Sequence, residues 1–354
     1  MRRLPIYFLI DVSESMVGAP VEEVEQGMRY VIQELRNNPY ALETVFVSVI
    51  VFAGKAKIVL PLTELYQFYP PKLPVGGGTS LGEGLNALMD DIDNSVQKTT
   101  EKIKGDWKPI VFLFTDGIPT DQYEKNFERW NIYYRNQCSL IAISVGRGAD
   151  VSALSKLTDN IVIFDRENQQ SYQEFFDWIT ASIKTRSMSI AKNGFEQEIS
   201  ELLNESDLCK IDLKKIVPEK VDDNYVVLVA KCQETKQPYL IKFIKKVRMM
   251  EGFESLNEMN LNERYFKLQG AYPIDEKNYL ELTEPHYASV KVSTIDLEGS
   301  PSCPCCGNSF GMIICQCGGI FCGELKKTLK CPWCNSSGYM KLMGKNLDIN
   351  RSQG

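Results

Sequence analysis

Eight of the eleven cysteines fall between Cys303 and Cys334, and that crowding constrains how the end of the chain can fold more than any other feature. So short a segment buries little apolar core, so crosslinks must hold it. The opening stretch, MRRLPIYFLIDVSESM, has an apolar run interrupted by Pro5 and ended by Asp11. It reads as a buried strand and not as a signal peptide. No run approaches the ~20 apolar residues that span a bilayer. A cytoplasmic, reducing location is the resulting expectation, and it favours metal ligation over disulfides.

Cys303 with Cys306, and Cys331 with Cys334, form two Cys-x-x-Cys pairs whose four thiolates can enclose Zn²⁺ tetrahedrally. The 24 residues between them carry Cys315, Cys317 and Cys322. With Cys305, these three form a candidate second zinc set. Structural zinc supplies about 10–16 kcal/mol of apparent binding energy, enough to fold a small unit. Residues 303–354 hold six Lys/Arg and two Asp/Glu, an excess that four to eight thiolates around one or two Zn²⁺ largely cancel.

The rest of the chain has an ordinary soluble composition, 44% hydrophobic and 24% charged, with a formal charge of -6. That balance disfavours wholesale binding to a phosphate backbone. Residues 1–190 alternate strand-like runs (6–10, 45–52, 57–60, 110–114, 140–145 and 161–164) with amphipathic helical patterns. One helix is marked by Val21, Val24, Met28, Val31, Ile32 and Leu35, and Asn38-Pro39 stops it. Another is marked by Leu81, Leu85, Leu88, Met89, Ile92 and Val96, and a closing one covers 172–183. The pattern predicts an α/β, doubly wound, mostly parallel sheet with an antiparallel edge hairpin. Residues 191–300 read as a small α+β or β-rich domain, with a hairpin over 225–230 and 239–244 and further strands at 279–282 and 288–292. Gly299 to Ser302 marks a boundary before a third domain at 301–345.

Three loops of the first domain carry oxygen donors. Asp11, Ser13 and Ser15 follow the first strand, Thr79 ends a triple-glycine loop, and Asp116 follows the 110–114 strand. At one end of such a sheet they offer the carboxylate and hydroxyl set that suits hard Mg²⁺. The arrangement resembles the metal-ion-dependent adhesion site of von Willebrand factor A domains. That resemblance implies a divalent cation on Asp11, Ser13, Ser15, Thr79 and Asp116, with a partner's Asp or Glu completing the shell. Glu14, lying between the ligands, is expected to face solvent or a partner.

With the cysteine tail added, the chain resembles the TerY-like tellurium-resistance proteins, which join such a domain to a zinc ribbon. Their Cys-Pro-x-Cys, Cys-x-Cys-Gly and Cys-Pro-Trp-Cys elements are similar to those around Cys303, Cys315 and Cys331. The family implies a tellurite- or stress-resistance role with protein kinase and protein phosphatase partners. Residues 191–300 are less clearly matched.

The expected function is therefore a metal-dependent interaction or scaffold protein, with no catalysis, no membrane contact and no nucleic acid. A phosphoryl-transfer or hydrolytic enzyme using the same site is one rival. The triple-glycine loop lacks the Lys-Ser/Thr ending of a P-loop, and Ser13 stands where an aspartyl phosphotransferase needs a second Asp. The sole histidine, His286, reads as an ordinary surface residue. Binding of nucleic acid by the ribbon through Lys326, Lys327, Lys330 and Lys341 is the other rival.

Overall fold

β1 (Leu4–Asp11) is buried at every residue, as a strand covered on both faces should be. The computed structural model describes residues 2–116, 118–145, 151–164, 169–193, 224–248, 263–284, 290–324, 327–339 and 346–352. Gly117, His286, Lys326 and Lys341 lie outside the described residues. Two units divide the chain, Met1–Lys220 and Val221–Gly354.

In the first unit β1 is joined by β2 (Val45–Phe52), β3 (Ala56–Glu64), β4 (Ile110–Thr115), β5 (Ser139–Val145) and β6 (Ile161–Phe164). The sheet order is β3-β2-β1-β4-β5-β6. β3 alone runs antiparallel, closing the predicted edge hairpin. α1 (Ala19–Arg36) buries the six apolar positions read from the sequence. Asn38-Pro39 does two jobs after it. The chain leaves the helix and α2 (Pro39–Thr44) begins at once, with Asn38 Oδ1 accepting from the Ala41 N–H at 3.0 Å.

α3 (Leu81–Ser95), α4 (Glu124–Tyr133) and α5 (Val151–Ser155) share a core with Tyr7, Leu9, Val111 and Leu113 on one sheet face. Val96, expected on the buried face of α3, is the residue just past its end. The alternate residues Phe8, Phe112 and Phe114 stack on the other face, where Phe114 meets Phe175 edge-on. Phe175 belongs to α6 (Gln169–Asn193), which extends past the predicted 172–183 at both ends. α1 crosses this helix at Gly27, where an added Cβ would lie 1.9 Å from the Phe176 ring.

The second unit departs from the expected division at 300. β7 (Tyr225–Lys231), β8 (Pro238–Arg248) and β9 (Glu263–Pro273) form an antiparallel meander. β10 (Val290–Ser293) and β11 (Leu297–Glu298) follow, then β12 (Phe310–Ile314) and β13 (Ile320–Gly323). One sheet runs β11-β9-β8-β7-β13-β12, so strands from both expected domains lie side by side. The parallel pairing of β13 with β7 makes the join, Ile320 opposite Ala230 and Phe321 opposite Lys231. Residues 191–300 and 301–345 are therefore not separate domains. The small strands β14 (Leu329–Lys330) and β15 (Ser337–Gly338) pair with each other, and β16 (Asp348–Arg351) pairs with β10.

The strand expected at 279–282 is instead part of a helix, α7 (Glu276–Leu282). Asp275 starts it, its Oδ1 accepting from the Asn278 N–H at 2.8 Å. Among the described residues no helix is long and apolar enough to cross a membrane.

Candidate metal centres

The carboxyl ends of β1 and β4 place the first three-residue motif beside Asp116. Asp11 ends β1, and the chain then tightens into a 3₁₀ turn over Glu14–Met16. Asp11 Oδ1 accepts from the Ser13 N–H at 2.9 Å, fixing the turn. Thr115 Oγ1 donates to Asp11 Oδ2 at 2.6 Å. The Ser13 and Ser15 hydroxyls lie 2.9 Å apart, and Ser15 Oγ donates to Asp116 Oδ1 at 2.8 Å. Asp11, Ser13, Ser15 and Asp116 thus form one connected set of oxygens, all buried.

Thr79 is stitched to the same end of the sheet. Its N–H donates to Thr120 Oγ1 at 3.0 Å, and the Thr120 N–H returns to the Thr79 carbonyl at 2.8 Å. The glycine loop is anchored by the Gly76 N–H on the Val12 carbonyl at 2.9 Å and the Ser80 N–H on the Ala53 carbonyl at 2.6 Å. Gly78 adopts φ +89°, a left-handed conformation that costs a side chain dearly. Glu14 is fully buried, contrary to its expected exposure, because the 3₁₀ turn folds it inward.

Burial, then the Asp116 charge, pushes the Asp11 carboxyl up to about 7, against the hydrogen bonds from Thr115 and Ser13. Two buried carboxylates with hydroxyl neighbours are a donor set that a hard divalent cation fits, since its charge offsets their repulsion.

The cysteines sort differently from the expected pairing. Cys232, Cys303, Cys306 and Cys322 gather in one group, and Cys315, Cys317, Cys331 and Cys334 in another, with the sulfurs of each group within 4.8 Å of one another. Cys303-Cys306 and Cys331-Cys334 therefore belong to different centres. Cys305 joins neither; it packs beside the apolar core of the sheet. Cys232, which sequence reasoning passed over, takes the place given to Cys305. It sits just past β7, so the β7–β13 pairing carries it to Cys322 in β13, at 3.8 Å.

The separations are those of tetrahedral thiolate sites. Cys306–Cys322 at 3.7 Å, Cys315–Cys334 at 3.6 Å and Cys317–Cys331 at 3.8 Å match the edge of about 3.8 Å that a Zn–S bond of about 2.3 Å implies. Disulfide sulfurs would stand at about 2.05 Å. Left-handed residues turn the knuckles: Lys236 follows Cys232, Gly307 follows Cys303 and Asn335 follows Cys331, each donating its N–H to that cysteine's carbonyl. The sequence after Cys232 offers only a polar turn, Gln233 to Lys236, with no second cysteine to mark a ligand.

The two centres differ in their surroundings. Cys232, Cys303 and Cys322 are buried with Val226, Leu228, Tyr239 and Ile241. In the second, Cys317 and Cys334 are exposed. Cys138, far from both in sequence, is packed in the core of the first unit, and burial pushes its thiol up to about 12. Lys327, offered for nucleic acid, pairs with Glu324.

Residues 6–178 match the family described as von Willebrand factor type A domain, and residues 222–354 match the TerY-C metal binding domain. The second match runs across the expected boundary at 300, in keeping with the shared sheet. Among solved structures, a von Willebrand factor type A protein from Catenulispora acidiphila is 16% identical, with 52% of this chain and 43% of that chain covered at a TM-score of 0.40. The pilus adhesin SpaC from Lactobacillus rhamnosus GG is 12% identical, covering 52% and 31% at 0.42. Proximal thread matrix protein 1 from the mussel byssus, with a zinc-occupied MIDAS motif, is 18% identical, covering 52% and 46% at 0.37. This chain thus spans less than half the length of each.

Proposed function

Since this chain is a von Willebrand factor type A domain followed by a TerY-C metal binding domain, we propose that it is a non-enzymatic, metal-dependent interaction protein with one exchangeable cation and two structural ones. Asp11, Ser13, Ser15, Thr79 and Asp116 hold Mg²⁺ in the first unit, leaving a position for an Asp or Glu from a protein partner. Zn²⁺ occupies the two tetrathiolate sets of the second, and a reducing cytoplasm keeps those thiols available. Likeness to the TerY-like proteins supports a tellurite- or stress-resistance setting and kinase and phosphatase partners.

The connected oxygens from Asp11 through Ser13 and Ser15 to Asp116 carry the reading of the first site. The bound cation supplies positive charge that recruits a carboxylate. The chain's own part is to fix the oxygens: Thr115 orients Asp11, and Ser15 orients Asp116. The test has two arms. Titration calorimetry with Mn²⁺ should show one site that Asp11→Ala abolishes, and EDTA should release a co-purified protein partner. Partner binding of unchanged affinity in both EDTA and Asp11→Ala would overturn the metal bridge.

A further inference from the structure

The two tetrathiolate sets share a sheet but not an environment. Around the first, Cys232 and Cys322 are 0% exposed and Cys303 2%, and backbone N–H groups of Gln233 and Thr235 point at the sulfurs of Cys322 and Cys232. Val226, Leu228, Tyr239, Ile241 and Phe243 pack in one core with its cysteines. The second rests on a far smaller cluster of Phe321, Leu329 and Cys331. Cys317 and Cys334 are exposed there, and the hydroxyl of Ser336 stands 3.0 Å from the Cys334 sulfur. A thiolate's reactivity is set as much by access as by its chemistry. Cys306 in the first set is partly exposed, whereas the second set has two exposed cysteines, Cys317 and Cys334.

We infer that Cys315, Cys317, Cys331 and Cys334 are the oxidant-modification site of this chain: hydrogen peroxide converts them to two disulfides and releases their zinc, while the set containing Cys232 keeps its own. This rests on the reading of both sets as zinc sites. Two peroxide molecules are reduced and four thiolates oxidised. Each O–O bond breaks, each pair of sulfurs loses two electrons to form one S–S bond, and four hydroxides and Zn²⁺ leave. The geometry makes the step short, because Cys315–Cys334 and Cys317–Cys331 already lie at 3.6 and 3.8 Å. The knuckle that would loosen carries Trp333, whose Nε1 donates to the Ile320 carbonyl at 2.8 Å and whose ring lies on Gly319.

The experiment uses the full-length zinc-loaded protein. Elemental analysis should first find two zinc ions per chain, one for each set; fewer would overturn the zinc reading and the inference with it. Peroxide is then added with a chromogenic zinc chelator present. One equivalent should be released at least about tenfold faster than the other, as expected for exposed against buried thiolates. Peptide mapping after the fast phase should find disulfides confined to Cys315, Cys317, Cys331 and Cys334. Release of both zincs at one rate, no peroxide-dependent release, or a disulfide involving Cys232 or Cys322 would overturn the inference. Cys305→Ala removes the unligated thiol, and the fast phase should persist in it; loss of that phase would assign the reaction to Cys305 instead.

Discussion

Ser15 donates its hydroxyl to Asp116 across 101 residues of sequence, and this bond joins the first metal-site loop to the third. Ser15→Ala removes a ligand and the group that orients Asp116 together. Mn²⁺ affinity should fall by about 10–100-fold, the range seen when orienting partners are lost, with the circular dichroism spectrum unchanged. Titration calorimetry checks this, and equal affinity in variant and parent would place the cation elsewhere.

The contact of Gly27 with Phe176 gives a second prediction. Gly27→Ala inserts a methyl group where the ring already sits. Overpacking of this kind costs about 1–3 kcal/mol, or about 2–12 °C in the melting of a unit of this size. Thermal denaturation should show the loss, and Phe176→Leu added to Gly27→Ala should recover part of it.

Zinc stoichiometry tests the cysteine grouping. Cys232→Ser should drop the content from two ions towards one, whereas Cys305→Ser should leave both. The opposite result would restore the grouping expected from sequence alone. Strong chelation should unfold residues 221–354, whose core packs directly on Cys303 and Cys322, while the helical signal of the first unit survives.

Asp121 supplies a pH prediction. Burial pushes its carboxyl up to about 6, against the backbone N–H groups of Glu83 and Gly82 that it accepts. The folded state therefore keeps a proton that the unfolded chain has lost between about pH 4 and 6. Stability from this group is fully present at the acid end and declines as pH rises through that window. Asp121→Asn removes the dependence, so urea denaturation should show the variant gaining on the parent between those pH values and holding a constant difference above them.

The α/β unit was legible because its signals are local. The parallel strands of the sheet are largely apolar runs, and Asp11, Thr79 and Asp116 each sit beside an element that the local pattern predicts. Asn38-Pro39 was half legible: the stop was visible, but the same Asn also caps α2. The second unit resisted because its decisive contacts are long-range. Cys232 lies ninety residues from Cys322 and has no neighbouring cysteine to mark it, so only the pairing of β13 with β7 reveals it. β9 escaped notice because Gly270 and Pro273 break its alternation. Tyr279 to Leu282 looked like a strand, and the capping carboxylate of Asp275 decided for a helix.

In β13, Ile320 and Cys322 face the buried centre while Phe321 faces the cluster beside the exposed one. Cys317 in the preceding turn and Cys322 in β13, five positions apart, thus belong to different centres, and within β13 the strand's alternation separates the two sides. Inserting a single residue after Gly319 would turn Cys322 to the opposite side, leaving one centre a ligand short and crowding the other. Spacing here is a code read in odd and even numbers, and substitutions that preserve it should be tolerated where length changes are not.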